Sequence, residues 1–156
     1  MLTRRDFVAS AALLPLSAAA AQRPVLKIAL NAYSFNKLLN DSIKGRGPGV
    51  TLVQVLEFAA KNKFDGFDPT GYFFPGYPAV PSDSYVDSFK KRAADLGIGI
   101  SGTGVRNNFT TSDKPVRDAG VRHIKEWVEV AARLGAPVIR IGLVWPHRRY
   151  RLFQNK

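Results

Sequence analysis

The sequence predicts an α/β fold built on a parallel sheet. Three observations carry this. Apolar strand-like runs alternate with helical patterns. Each helical stretch ends on an alanine pair followed by a turn into the next strand: Ala59-Ala60, Ala93-Ala94 and Ala131-Ala132. The turns from helix to strand are short, and the connections from strand to helix are long. Repeated crossovers of this kind make parallel strands, in an open sheet or a closed barrel. The 156 residues are 46% hydrophobic and 22% charged, globular values for one domain.

Leu26 to Ala32 alternates and is a first strand. A loop rich in Asn, Gly and Lys is expected from Tyr33 to Val50. Thr51-Leu52-Val53-Gln54 is a capping box that opens a helix with Leu52, Leu56, Ala59 and Ala60 on its apolar stripe. Phe64 to Pro69 is a second strand. Ser82 or Ser84 starts a second helix, with Val86, Phe89, Ala93 and Leu96 inward. Ile98 to Ser101 is a third strand. Asp113 caps a third helix, Pro115 stands in its first turn, and Val116, Gly120, Ile124, Trp127, Ala131 and Leu134 form its inner face. Pro137 to Ile141 is a fourth strand. Gly97 and Gly135 stand where helix ends need a left-handed residue.

Residues 1–21 have the order of an export signal. Arg4-Arg5 precede an apolar run from Val8 to Leu16, and Ser17 to Ala21 supply small residues for cleavage. The pattern resembles a twin-arginine translocation signal, so a periplasmic or secreted protein is expected. The run is too short for a stable membrane anchor. Residues 22–144 are read as the domain and 145–156 as an irregular basic tail.

Lys plus Arg number 23 and Asp plus Glu 12, a formal charge of +11. The basic residues of the middle are scattered, so a nucleic-acid surface is not expected there. Cysteine is absent, which excludes disulfides and thiolate chemistry. Gly102-Thr103-Gly104-Val105-Arg106-Asn107 opens like a dinucleotide loop but lacks the third glycine. No Ser has a G-x-S-x-G context. His123 has no second ligand at metal spacing and reads as structural.

Parallel folds place chemistry at the carboxyl ends of their strands. Asn31, Asp68, Ser101, Thr103 and Arg140 fall in or near those ends, with Tyr33, Phe35, Tyr72, Phe73, Phe74 and Tyr77 in the adjoining loops. Aromatic faces with a few polar groups suit a carbohydrate; the same rings can also simply pack as a lid. Arg106 can hold an anion bidentately or brace its loop. The substrate-side candidates are Asn31, Asp68, Tyr72, Arg106 and Asn107.

The strings Leu30-Asn31-Ala32-Tyr33-Ser34-Phe35-Asn36, Phe64-Asp65-Gly66-Phe67-Asp68-Pro69-Thr70-Gly71-Tyr72, Phe74-Pro75-Gly76-Tyr77-Pro78 and Ser101 to Phe109 resemble exported members of the sugar phosphate isomerase/epimerase family, the xylose isomerase-like TIM barrels. The resemblance runs from about Val25 to Ile141. It implies a (β/α)8 barrel, of which about four β/α units are read here, an N-terminal half. It also implies a sugar or sugar phosphate substrate and a divalent metal that assists proton transfer beside the sugar carbonyl.

The family's metal ligands are acids and a histidine on strands of the second half. The three glutamates here, Glu57, Glu126 and Glu129, all fall on helices. The resemblance therefore implies no catalytic set and no tight metal site in this chain. The expectation is a truncated, inactive relative whose irregular ending is read as a frameshift, with a carbohydrate- or partner-binding half-barrel as the alternative. Endonuclease IV-type enzymes share the barrel, but the leader speaks against a nucleic-acid role. Two open strand edges predict self-association.

Overall fold

The structure is a computed structural model, and it describes residues 26–142. Four parallel strand positions alternate with helices. β1 (Ala29–Asn31) leads through a 3-10 turn (Ala32–Phe35) into α1 (Asn36–Ile43), followed by α2 (Leu52–Lys61). β2 (Gly66–Asp68), a 3-10 turn (Gly71–Phe73) and α3 (Asp83–Asp95) come next. The third strand position is divided into β3 (Gly99–Ile100) and β4 (Thr103–Val105). α4 (Lys114–Leu134) and β5 (Ile139–Ile141) complete the described chain.

β1 pairs β2 with Asn31 beside Asp68, and β2 pairs β3 with Phe67 beside Ile100. β4 pairs β5 with Gly104 beside Arg140. The two ladders meet at Ser101–Gly102. The Ser101 amide donates to the Phe67 carbonyl at 2.9 Å, and the Thr103 amide donates to the Val138 carbonyl at 3.0 Å. One strand thus holds β2 with its first half and β5 with its second. This corrects the sequence reading, which ended the strand at Ser101. Two glycines beyond that point carry the signature of a loop; here Gly104 lies in the second ladder and Gly102 at the junction of the two.

The helix starts follow their caps. Thr51 accepts from the Gln54 amide while the Gln54 side chain accepts from the Thr51 amide at 2.8 Å. Ser82 accepts from the Tyr85 amide, and Asp113 from the Val116 amide. Each removes an orphan donor from a first turn. At the far end of α4, Gly135 takes φ 81°, a left-handed cap.

α1 falls inside the stretch expected to be loop. Its asparagines are weak helix formers, so local pattern does not reveal it. Tertiary contact holds it instead: Leu39 is fully buried, and the Val50 amide donates to the Leu38 carbonyl at 3.3 Å. The inner face expected for α4 begins later than predicted. Trp127, Ala131 and Leu134 are buried, but Val116 is 46% exposed. A 21-residue helix runs ~30 Å, far beyond a three-residue strand, so its first turns overhang the sheet.

The core lies between the sheet and the helices. Phe67 from β2, Leu56 and Ala59 from α2, Val86 and Phe89 from α3 and Trp127 from α4 are buried together. Side chains alternate along a strand. With Phe67 turned to the helices, Asp68 is directed to the opposite face, at the carboxyl end of β2. No helix among the described residues is long and apolar enough to cross a membrane. The leader (1–21) and the tail (145–156) lie outside the described residues.

Candidate functional site

Asp68 is the centre of the strand-end cluster. Its carboxylate receives two bonds from the Arg140 guanidinium, one from Nη1 and one from Nη2, the latter at 3.0 Å. The side chain of Asp68 is 7% exposed and that of Arg140 is 48% exposed. The partners stand on β2 and β5, so their side chains must pass over the strand between them. Two glycines leave room for the crossing. A Cβ on Gly102 would meet Val138 Cγ2 at 2.9 Å and Asp68 Oδ2 at 3.3 Å, and one on Gly104 would lie 3.1 Å from Arg140 Nη2. The Gly102-Thr103-Gly104 run is therefore a notch in the sheet that seats an ion pair. The hydrogen bond to Asp68 raises the Arg140 pKa further, so the guanidinium stays charged.

Tyr72 joins this pair to the loops. Burial, and secondarily Tyr33, push its phenol up to about 12, with Arg106, Arg140 and Asp68 also within electrostatic reach. The Arg106 guanidinium lies over the Tyr72 ring, 4.2 Å from its centroid. Tyr33 meets Tyr72 edge-on, with centroids 6.0 Å apart. The Arg106 amide donates to the Tyr77 hydroxyl at 2.9 Å, which fixes the arginine loop against the loop after β2.

Asn31 lies beside Asp68 in the ladder. Its Oδ1 accepts from the Tyr33 amide at 2.8 Å and from the Thr70 hydroxyl at 3.0 Å. Asn107 is buried, and its side-chain amide grips the Gly142 backbone in both directions. Nδ2 donates to the Gly142 carbonyl, and Oδ1 accepts from its amide at 2.9 Å. It ties the loop after β4 to the end of β5.

The five predicted residues thus fall on one face, at consecutive strand ends. Asn31, Asp68, Tyr72 and Arg106 are linked through Tyr33, Thr70 and Arg140, while Asn107 braces the rim. Arg140 and Tyr33 were expected near the strand ends but not among the substrate-side residues. A residue in the middle of a short strand reads as packing, and only the notch explains how Arg140 reaches Asp68. Tyr77 and His123 were not selected either. They meet at 3.4 Å, hydroxyl to Nε2, and Tyr77 and Trp127 flank the imidazole. Burial lowers the His123 pKa, against the opposing pull of Glu126.

A profile of the xylose isomerase-like TIM barrel matches residues 56–154. The chain belongs to the xylose isomerase-like TIM barrel family. The described residues form about half of such a barrel. Solved structures that share its fold include these three. One is D-psicose 3-epimerase with D-fructose present, with a TM-score of 0.59 and 22% identity over 79% of this chain and 40% of that one. The second is a xylose isomerase-like TIM barrel/4-hydroxyphenylpyruvate dioxygenase fusion protein, with a TM-score of 0.52 and 19% identity over 74% and 16% of the two chains. The third is 3-keto-D-glucoside 4-epimerase, YcjR, from E. coli, with a TM-score of 0.51 and 16% identity over 65% and 36%. The chain therefore spans about two fifths or less of each solved relative's length. No curated protein sequence matches it.

A divalent metal is the cofactor that the family resemblance implies. Among the described residues, no three His, Cys, Asp or Glu side chains come together. Asp68, the one acid at the strand ends among the described residues, already has Arg140 on its carboxylate. Hard cations take several oxygen ligands. The described residues of this barrel do not fit such an ion.

Proposed function

We propose that the chain binds a sugar at the carboxyl ends of its strands, as the substrate-side half of a sugar isomerase/epimerase-type barrel. The carrying observation is the Asp68–Arg140 pair set in its glycine notch beneath Tyr72 and Arg106. The half-exposed Arg140 offers donors to sugar hydroxyls, and Asp68 holds its guanidinium in place. The Tyr72 phenol, which holds its proton to about 12, is a donor at any ordinary pH. The Asn31 amide nitrogen has no partner among the described residues and adds a second neutral donor. Arg106 suits an anionic substituent such as a phosphate. Two of the similar solved structures are sugar epimerases, which supports the substrate class.

The chemistry that the family resemblance implies is proton transfer at a sugar carbon, with a metal that would polarise the neighbouring carbonyl. The described residues bring no metal ligand set and no second acid to the strand ends. The role proposed for this chain alone is therefore binding without turnover. Calorimetric titration of the 156-residue chain with D-fructose tests it. Saturable binding that Asp68→Asn weakens at least tenfold supports the reading. Equal heats for both proteins, or epimerisation of the ketose by this chain, contradict it.

Two further proposals concern the whole chain. The first is export by the twin-arginine route, on the order of charge, apolar run and small residues in 1–21. Replacing Arg4 and Arg5 by Lys should then hold the protein in the cytoplasm, and normal export would contradict it. The second is self-association through the outer edges of β1 and β5, which pair on one side only among the described residues. Val138 and Ile141 beside that edge are 55% and 50% exposed. Light scattering should find a dimer or larger, and a monodisperse monomer would contradict it.

A further inference from the structure

A cavity of about 600 Å³ opens between α1, the start of α2 and the loop that follows β2. Its volume falls in the usual range for a small-molecule site. Leu39, Val50, Leu52 and Phe73 form its apolar walls, and none of the side chains that line it is charged. Two hydroxyls in the lining, those of Ser42 and Tyr85, have no hydrogen-bond partner among the described residues. The Tyr85 ring is half-buried, and burial alone raises its phenol to about 12, so it faces the cavity as a neutral donor. This environment rejects ions and free sugars, whose polar groups would go unsatisfied. It accepts an uncharged ring or alkyl group carrying one or two hydrogen-bonding atoms.

The cavity is not isolated from the strand ends. Tyr72 and Tyr77 line it, and the same two residues face Arg106, one through its ring and one through its hydroxyl. Two rings therefore separate an apolar chamber from a charged one. A ligand that fills both has a polar end and an uncharged apolar end. We infer that the cavity holds the uncharged aryl or alkyl aglycone of a glycoside whose sugar lies against Asp68 and Arg140. This rests on the sugar reading above and narrows it from a free sugar to a sugar carrying an apolar substituent.

The test compares phenyl β-D-glucopyranoside with methyl β-D-glucopyranoside in calorimetric titrations of the 156-residue chain. The phenyl compound is expected to bind at least tenfold more tightly, since it alone buries a ring in the cavity. Val53→Trp, which fills the chamber from the α2 side, should abolish the difference without weakening the methyl compound. Ser42→Trp, at an exposed position on the rim, gives the same result if the half-buried Val53 does not tolerate the larger ring. Tyr85→Phe should weaken the phenyl compound by a smaller factor. Equal affinity for the two glycosides overturns the aglycone assignment and leaves the sugar reading standing. Binding of neither glycoside, with D-fructose also silent, overturns both.

Discussion

The Arg133 and Arg140 ion pairs with aspartate differ in what surrounds them. On the outside, Arg133 of α4 reaches α3, with Nε 2.8 Å from Asp87 Oδ1, Nη2 2.6 Å from Oδ2, and Nη1 2.7 Å from Asp83. All three side chains are well exposed, from 43% to 77%. At the strand ends, Arg140 makes the same two-pronged contact with Asp68, but Asp68 is 7% exposed and the sheet has been notched for it. Good geometry alone is common on protein surfaces and contributes little there. A carboxylate withdrawn from water, with a glycine facing its partner, is a feature that stability alone does not require.

Removing each arginine is the most forceful way to break the comparison. Arg140→Ala leaves Asp68 buried without its partner. It should cost roughly 2 kcal/mol, below the range for fully buried pairs because Arg140 is itself half in water. Arg133→Ala should shift the urea midpoint far less than Arg140→Ala does, because its partners stand in water. Equal losses in the two variants would show that the strand-end pair is ordinary surface chemistry.

A smaller effect tests the notch. Gly104→Ala places a methyl 3.1 Å from Arg140 Nη2 and 3.4 Å from its Cβ. The pair must shift by a few tenths of an ångström, and a loss on the order of 1 kcal/mol is expected. An additive double variant with Arg140→Ala would contradict a shared cause, because a notch that serves Arg140 has nothing left to disturb once the side chain is gone.

The smallest effects lie in the pH dependence, and the two regions respond at opposite ends. The Arg133 hydrogen bond holds the Asp87 carboxyl below its usual value of 3.8. Its stabilisation is present above that value and fades as pH falls through the lower folded value. Tyr72 is the reverse case. Its folded value of about 12 exceeds the ordinary 10, so its contribution is present below 10 and is lost as pH climbs from 10 toward 12. Tyr85 adds to the same alkaline loss through burial. Denaturation midpoints across pH 2–12 should show Asp87→Asn flattening only the acid limb and Tyr72→Phe only the alkaline limb.

The same contrast explains what could be read from the sequence. The α/β alternation was legible because caps and stripes are local. Thr51, Ser82, Asp113 and Gly135 do in the structure what their spacing announces. Asn31, Asp68 and Tyr72 were legible as strand-end residues because the long loops mark that face. The notch was not legible. Gly102 and Gly104 have the pattern of a loop, and only the pairing of β4 with β5 turns Gly104 into room for Arg140 and sets Gly102 against Val138 and Asp68. α1 was hidden for a related reason, since what holds it is the burial of Leu39 and not the preference of its own residues. Local pattern reports elements, whereas a contact between Asp68 and Arg140, 72 residues apart, appears only when the sheet is assembled.

Amide NMR of the 156-residue chain titrated with D-fructose tests the central claim most directly. The account predicts saturable shifts clustered at Asn31, Asp68, Tyr72 and Arg106, with the amides around Asp87 and Arg133 unmoved. Shifts centred on the outer helices, or none at all as the sugar is raised, would contradict a sugar site at the strand ends.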